Sequence, residues 1–311
     1  MNLFIKNILK FTIILTVAYI GYIIAWGLFA PDFLKTNLNY RIGSYGNLNS
    51  RVKEISSYGD VDMLVLGSSH AYRGFDPRIF KENNIKMFNL GSSSQTPMQT
   101  EILVERYLDK LNPEVVLFEV YPNAFQVDGV ESTLDLIAND KIDLKLIINS
   151  LKLNNFKIYN TLIYGIFRQL FSLDDDFIEP VKKHGEKDTY IKGGFVEKEV
   201  SIFNDTVQHI SKSWDFRNDQ IEAFERILLR LKRKGIKVII VQTPITEDLY
   251  NEYYNNDEID SFFSSFNVPY FNFNLLVNLP NEYFYDSNHL NQNGVILFNN
   301  ELIKIIKKQN F

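Results

Sequence analysis

The sequence predicts an α/β fold, with a parallel sheet covered by helices on both faces, preceded by one membrane-spanning helix. Three observations indicate it: apolar runs that alternate with helical patterns, polar clusters that directly follow these runs, and an uncharged stretch near the N-terminus. Alternation of strands and helices implies right-handed crossovers, and therefore a parallel sheet. Because both faces of such a sheet are covered, its strands read as continuous apolar runs.

The first predicted element is the uncharged segment at residues 11–30, "FTIILTVAYIGYIIAWGLFA". With a rise of about 1.5 Å per residue it spans roughly 30 Å, the thickness of the hydrocarbon core of a bilayer. Lys6 and Lys10 precede the segment and Asp32 follows it. The positive-inside rule therefore predicts a single-pass protein of the inner cell membrane, with a cytoplasmic N-terminus and the remaining chain outside.

A cleaved signal peptide is the alternative interpretation, with "AWG" at 25–27 as its cleavage site. The apolar core of a signal peptide is usually about 7–15 residues long, and this run is longer, which favours an uncleaved anchor at 1–30. Residues 31–60 are polar and rich in Asn, Gly and Ser. They predict a tether that leads into a folded domain at 61–311.

Strands and helices then alternate along the domain. The predicted strands are apolar runs bounded by glycine, proline or polar residues, at 61–67, 85–91, 113–122, 236–245 and 268–274. The predicted helices have apolar residues at helical spacing, at 96–112, 217–235 and about 292–308. Pro97 suits a first helical position, and Gly235 suits a helix end. The alternation breaks at about 125–216, where 131–172 looks helical, which predicts an inserted helical section over the sheet.

Composition excludes several classes of site. The chain of 311 residues has no cysteine, which excludes disulfides, thiolate metal sites and cysteine nucleophiles, and its four histidines argue against a histidine-rich metal site. A net charge of −5 without a basic stripe argues against a nucleic-acid partner. A nucleotide-binding α/β protein is disfavoured because no GxGxxG or Walker pattern is present. No metal or organic cofactor is predicted.

Polar clusters follow the first three predicted strands: "GSSH" at 67–70, "NLGSSSQT" at 89–96 and "YPNAF" at 121–125. The carboxyl ends of parallel strands meet at one edge of a sheet, where ligands bind. Near the C-terminus, "DSNHLNQNG" places Asp286 three residues before His289. An aspartate beside an imidazole fixes its tautomer, and the histidine can then deprotonate a serine hydroxyl.

In this order the motifs resemble the SGNH (GDSL-type) hydrolase superfamily, over about residues 61–123 and 236–308. The resemblance implies a three-layer α/β/α, flavodoxin-like domain and a Ser-His-Asp triad. By position, Ser69 is then the nucleophile, His289 the base and Asp286 the acid that orients it. Ser68 stands where the family has an aspartate between the glycine and the serine.

The resemblance also implies an oxyanion hole with three donors. These are the N–H of Ser69, a backbone N–H of the second polar cluster and the side chain of Asn123. In the second cluster Ser94 occupies the position of the family glycine, and Gly91 is a competing candidate. Asn123 has an alternative role as a turn residue, because the glycine and aspartate of the family's third block are absent here.

A looser resemblance connects the anchor, the "GSS" opening and the large middle section to membrane-anchored proteins that transfer D-alanyl or acetyl groups onto cell-envelope polymers. It implies a serine esterase or O-acyltransferase that acts on acyl esters of an envelope polysaccharide or lipid-linked glycan. It also allows a membrane-bound acyltransferase as partner. The alternative is a catalytically inactive relative that binds envelope polysaccharide or serves as a scaffold.

Four residues near the first predicted strand have structural alternatives. Ser69 is also suited to capping the turn that follows the strand. His70 adjoins Ser69, but adjacent side chains usually point apart, so we expect His70 to pack or line the pocket instead of acting as the base. For Tyr72 and Arg73 the alternatives are contact with a substrate carboxylate or sugar and a solvated surface, and we expect the solvated surface.

Overall fold

The computed structural model describes residues 3–43, 46–182, 188–203 and 211–309. The chain forms two compact units. Unit 1 comprises Met1–Ile42 and Thr133–Phe177, and unit 2 comprises Gly43–Ser132 and Ile178–Phe311, each within the described residues.

The elements are numbered in chain order. The strands are β1 (Met63–Leu66), β2 (Met87–Asn89), β3 (Val115–Glu119), β4 (Asp188–Ile191), β5 (Phe195–Lys198), β6 (Lys237–Gln242) and β7 (Tyr270–Asn272). The helices are α1 (Leu3–Phe29), α2 (Leu48–Tyr58), α3 (Ser69–Gly74), α4 (Pro77–Glu82), α5 (Pro97–Leu111), α6 (Asn123–Gln126), α7 (Val130–Asn139), α8 (Leu144–Lys152), α9 (Phe156–Leu170), α10 (Asn218–Arg233), α11 (Glu247–Asn251), α12 (Asn256–Ser264), α13 (Phe273–Leu276) and α14 (Gln292–Lys308).

Unit 2 is built on a five-stranded sheet in the order β2-β1-β3-β6-β7. Every neighbouring pair in this sheet is parallel. Five strands in this order have the flavodoxin-like arrangement, whose switch point lies between the first and third strands of the sheet. The predicted α/β fold with a parallel sheet is therefore confirmed, and each of its five predicted strands is present.

Successive side chains of each strand point to opposite faces of the sheet, and helices cover both faces. On one face, Val65 and Leu117 belong to a buried cluster with Phe298 of α14. On the other face, the ring of Phe118 packs against Phe224 of α10, with centroids 4.9 Å apart. Burial of one such side chain contributes about 1.5–3 kcal/mol to the free energy of unfolding. Packing of helices on both faces therefore holds the strands, and with them the strand ends, in place.

The hairpin of β4 and β5 was not predicted, because residues 173–200 have no clear period. Gly193 and Gly194 form its turn, both with positive φ. The Gly193 carbonyl accepts the Asn89 N–H at 2.8 Å, and the Arg51 guanidinium donates to the Gly194 carbonyl at 2.8 Å. Contacts distant in sequence therefore hold this hairpin beside β2.

Unit 1 contains the apolar helix α1, with a mean hydropathy of 2.0 over its most apolar window. Its length and composition suit a membrane span, and a signal sequence near the N-terminus would have the same properties. Only Ile23 and Gly27 are buried along it, so α1 is not the core helix of unit 1. In the section predicted as an insertion the structure has α7, α8, α9 and the β4–β5 hairpin, and α2 lies within the segment predicted as a tether.

Candidate active site

The turn after β1 lies against the end of β3. Gly67 has φ +142°, a conformation that favours glycine. A Cβ atom at Gly67 would lie 2.8 Å from both Cβ and Oε2 of Glu119. A glycine is therefore required where the chain leaves β1 and enters α3.

Ser69, His289 and Asp286 meet in unit 2. The His289 Nε2 atom lies 2.8 Å from Ser69 Oγ, across 220 positions of sequence. The other ring nitrogen, Nδ1, lies 3.0 Å and 3.1 Å from the two carboxylate oxygens of Asp286. With Nδ1 protonated toward the carboxylate, Nε2 is an acceptor for the serine proton.

Ser68 and Ser69 have different environments. Ser68 occupies the position before α3, where a helix cap would lie, but it makes no capping hydrogen bond with its side chain. It is 4% exposed, and its hydroxyl faces Glu119 and His70. Ser69, the first residue of α3, is half-buried and directs its hydroxyl to His289. Only the second serine therefore has the contact that a nucleophile needs.

Asp286 orders the loop that carries the histidine. Its Oδ1 accepts the backbone N–H groups of Asn288 at 3.0 Å and His289 at 2.7 Å. On the other side of the loop, Thr246 donates its N–H at 3.0 Å and its hydroxyl at 2.8 Å to the Ser287 carbonyl. The carboxylate thus orients both the backbone and the imidazole of His289.

The rest of the "DSNHLNQNG" motif joins this loop to α14. Leu290 is buried in the core of unit 2. Asn291 is the N-cap of α14, and its side-chain oxygen accepts the N–H groups of Asn293 and Gly294. The spacing of the motif is therefore explained by a loop, a core contact and a helix cap in succession.

Two rings stack on the His289 imidazole, and a third ring packs against one of them. Tyr285 stacks on it with ring centroids 5.4 Å apart, and His70 stacks on it at 4.6 Å. Tyr121 packs against His70 at 3.9 Å. His70 is 3% exposed, so it packs against the site, as the sequence predicted.

The two histidines and Asp286 differ in their electrostatics. Burial, together with the charge of His289, holds the pKa of His70 well below its ordinary value, so His70 is neutral at pH 7. Burial alone would raise the pKa of Asp286, but hydrogen bonds and charge from His289, with the N–H of Asn288, lower it overall. Asp286 is therefore a carboxylate at neutral pH and can stabilise an imidazolium on His289.

Glu119 was not predicted as part of the site. It is 2% exposed at the end of β3 and lies beneath the serine turn. Its Oε2 is 3.4 Å from both N and Oγ of Ser68, and its Oε1 is 3.3 Å from Thr243 Oγ1. Burial raises its pKa to about 8, and these hydrogen bonds offset only part of the rise. A charged residue inside the apolar run "VVLFEV" is the sequence feature by which Glu119 could have been found.

The prediction that Tyr72 and Arg73 lie on a solvated surface is wrong. Tyr72 is 2% exposed. The Arg73 guanidinium donates to both carboxylate oxygens of Asp188 in β4, at 2.6 Å and 3.2 Å. It also lies 5.6 Å from the ring centroid of Tyr285. The β4–β5 hairpin, which was not predicted, provides the partner of Arg73. Through Arg73 and Tyr285 the hairpin supports the loop that carries His289.

Of the three residues assigned to an oxyanion hole with the N–H of Ser69, Gly91 and Ser94 follow β2 and Asn123 follows β3. The Gly91 N–H donates to Asn89 Oδ1 at 3.0 Å, and a Cβ on Gly91 would lie 2.7 Å from Cβ of Ala71. This leaves Ser94, with φ +48°, as the candidate of the second cluster. Asn123 begins α6, and its side-chain oxygen accepts from Gln126 at 2.9 Å.

Within the described ranges, no group of three or more His, Cys, Asp or Glu side chains could hold a metal ion. A cavity of about 520 Å³ lies in unit 1 and is lined by residues of α1, α9 and the segment 32–42. It contains none of the residues assigned to the candidate active site.

Comparison with known proteins gave matches among solved structures alone. No family model matches the sequence, and neither does any curated protein. A candidate acylhydrolase from Bacteroides fragilis is 13% identical with a TM-score of 0.44, over 86% of this chain and 98% of that chain. A GDSL-like lipase from Bacteroides thetaiotaomicron is 11% identical with a TM-score of 0.42, over 86% and 100%. The sheet order of the chain itself defines its fold.

Proposed function

We propose that this protein is a membrane-anchored serine esterase or O-acyltransferase of the SGNH type. Ser69 is the nucleophile, His289 the general base and Asp286 the residue that orients and charges the imidazole. One observation carries the proposal: the hydrogen bond of 2.8 Å between His289 Nε2 and Ser69 Oγ, with Asp286 on the opposite ring nitrogen. A nucleophile, its base and the group orienting that base form the arrangement needed for covalent acyl chemistry.

The reaction has two half-reactions. Ser69 Oγ attacks the ester carbonyl while its proton passes to His289 Nε2, and the imidazolium then returns this proton to the leaving alcohol. Water or a sugar hydroxyl next attacks the acyl-serine and gives its proton to His289. The bond from the acyl carbon to Ser69 Oγ then breaks, and the imidazolium returns the proton to Ser69 Oγ. Asp286 stays ionised throughout and stabilises the imidazolium.

The carbonyl oxygen becomes an anion in both steps and requires donors. The N–H of Ser69 has no acceptor within α3, because it belongs to the first residue of that helix. The N–H of Ser94 and the side-chain amide of Asn123 complete the proposed set. Loss of one such donor typically raises the activation free energy by about 3–4 kcal/mol.

The position of the anchor suggests the class of substrate. Ile23 of α1 lies in a buried cluster with Tyr164, and Tyr19 donates to Asn160 Oδ1 at 2.6 Å, so the outer part of α1 is packed within unit 1. This favours an uncleaved anchor over a removed signal peptide. With the N-terminus cytoplasmic, the site faces the cell envelope, and an acylated polysaccharide or lipid-linked glycan is the expected substrate. For transfer, a membrane-bound acyltransferase is the partner expected to supply the acyl group.

A fluorophosphonate probe tests the nucleophile on the full chain in detergent. We expect Ser69 to be labelled, labelling to be lost in Ser69→Ala, and labelling to persist in the matched control Ser68→Ala. Labelling lost in Ser68→Ala but kept in Ser69→Ala would move the nucleophile to the other serine. An unlabelled wild-type chain that also fails to hydrolyse activated acetyl esters would support the inactive binding protein and refute the enzyme.

A further inference from the structure

Helix α8 exposes apolar residues on one face, while it buries two polar residues together with Leu146. Leu144, Ile148 and Leu151 are 71%, 45% and 54% exposed, whereas Asn149 and Ser150 of the same helix are 8% and 0% exposed. The three apolar residues are spaced by four and three, which places them on one face of the helix. A helix that faces water normally exposes its polar residues and buries its apolar ones. The exposed face of α8 therefore suits an apolar surrounding.

Helix α9 lies beside the outer half of α1. Tyr19 donates to Asn160, and a Cβ on Gly27 would overlap the ring of Tyr164. Tyr19 precedes Ala30, the end of the uncharged segment, by 11 residues, which is about 16 Å of helix. The contacts of α9 thus fall along the part of α1 that is proposed to lie in the outer leaflet.

Helix α8 is joined to α9 by a short turn and packs on it. The Tyr159 hydroxyl donates to the Leu151 carbonyl at 3.2 Å. Phe156, the first residue of α9, is 76% exposed and extends the apolar surface at this end of the pair. Lys152 is exposed between them and has a stem long enough to carry its charge to the lipid headgroups. Lipid of the leaflet that surrounds the outer half of α1 therefore extends to α9 and to α8, which packs on α9.

We propose that Leu144, Ile148 and Leu151 of α8, with Phe156, lie in the outer leaflet of the membrane. Unit 1 is then held at the membrane by two helices: α1, which spans the bilayer, and α8, which lies in the interface between lipid and water. The occupant of this face is lipid, because α1 brings the leaflet to the level at which α9 packs. The proposal rests on the anchor in the proposed function, and it adds a membrane contact from the section predicted as an insertion.

The absence of cysteine from the chain allows a clean test with single-cysteine variants. Leu144→Cys, Ile148→Cys and Leu151→Cys are each labelled with an environment-sensitive fluorophore, and the full chain is placed in nanodiscs that contain nitroxide-labelled lipid. Val17→Cys, at an exposed position of α1, reports the anchor. Leu229→Cys, at a leucine of α10 that is 47% exposed, is the control for an apolar residue in water.

We expect the three α8 positions and Val17 to be quenched, with no quenching at Leu229. Quenching at Val17 but at none of the α8 positions would overturn this inference and leave the anchor intact. Absence of quenching at Val17 would refute the anchor itself. Oxidative cross-linking of the α8 cysteines between two copies, without quenching, would assign the face to a second copy and overturn the lipid proposal. Fluorophosphonate labelling is read separately and reports only on Ser69.

Discussion

At the residue scale, the candidate chemistry depends on which of two adjacent serines contacts His289. The hydroxyl of Ser69 does so, while the hydroxyl of Ser68 is directed toward Glu119. Ser68 thus places a neutral side chain next to a buried acid. A second carboxylate there would add a like charge beside Glu119, at a cost that increases with burial.

Glu119→Gln is expected to change how stability depends on pH. The carboxyl pKa rises from its ordinary value of 4.5 to about 8 in the folded chain, so between these values the native state holds a proton that the unfolded state has lost. Stability of the wild type should therefore fall as pH rises through this window, by at most about 1.4 kcal/mol per pH unit. In Glu119→Gln this part of the slope should vanish.

Denaturant unfolding at several pH values between 5 and 8 measures the effect, with the exposed Glu247→Gln as the control that keeps the wild-type slope. Equal slopes in wild type and Glu119→Gln would show that Glu119 is ionised in the folded chain.

At the element scale, the turn from β1 into α3 fixes the direction of the Ser69 hydroxyl. This turn is possible because the chain adopts φ +142° at Gly67 and approaches the end of β3 closely. The β4–β5 hairpin supports the same region, since Asp188 holds Arg73 against Tyr285, which in turn stacks on His289. Two elements distant in sequence therefore support the loop that carries His289.

Gly67→Ala should destabilise unit 2 more than Gly59→Ala does. Both glycines have positive φ, for which a side chain costs about 1–3 kcal/mol. Only at Gly67 would the new Cβ meet neighbouring atoms, those of Glu119, whereas nothing lies within 4 Å at Gly59. Overpacking should add about 1–3 kcal/mol to the loss of unfolding free energy. Thermal unfolding of both variants measures the difference. Equal losses of unfolding free energy would show that the end of β3 moves aside without an energetic cost.

At the scale of the whole molecule, the protein combines a sheet domain with a helical unit that contains the apolar helix α1. The two are interleaved in sequence, since unit 1 consists of the N-terminal segment and a section inserted after α6. Within unit 1, Gly27 allows close approach of α1 and α9 at Tyr164. Helix α1 is thus part of a folded unit.

Gly27→Leu should loosen α1 from α9, while Gly21→Leu should not. A Cβ at Gly27 would overlap the Tyr164 ring, whereas nothing lies within 4 Å at Gly21. In a helix, leucine in place of glycine is by itself favourable by roughly 0.5–1 kcal/mol. Loosening in Gly27→Leu but not in Gly21→Leu would therefore identify the contact with Tyr164. Hydrogen exchange of the α9 amides in nanodiscs is the measurement, and unchanged exchange in Gly27→Leu would contradict the packing.

The sequence by itself determined the α/β class, the five strands of the sheet, the apolar helix α1, and Ser69, Asp286 and His289 as candidates. These features follow from local periodicity and from motifs whose spacing is set by turns and caps, as in the segment from Asp286 to Gly294. Only the tertiary structure decided that His289 contacts Ser69 instead of Ser68, that Glu119 lies beneath the serine turn, and that a hairpin at 188–198 pairs Asp188 with Arg73. Those relations depend on contacts between residues far apart in sequence, and local pattern does not encode them.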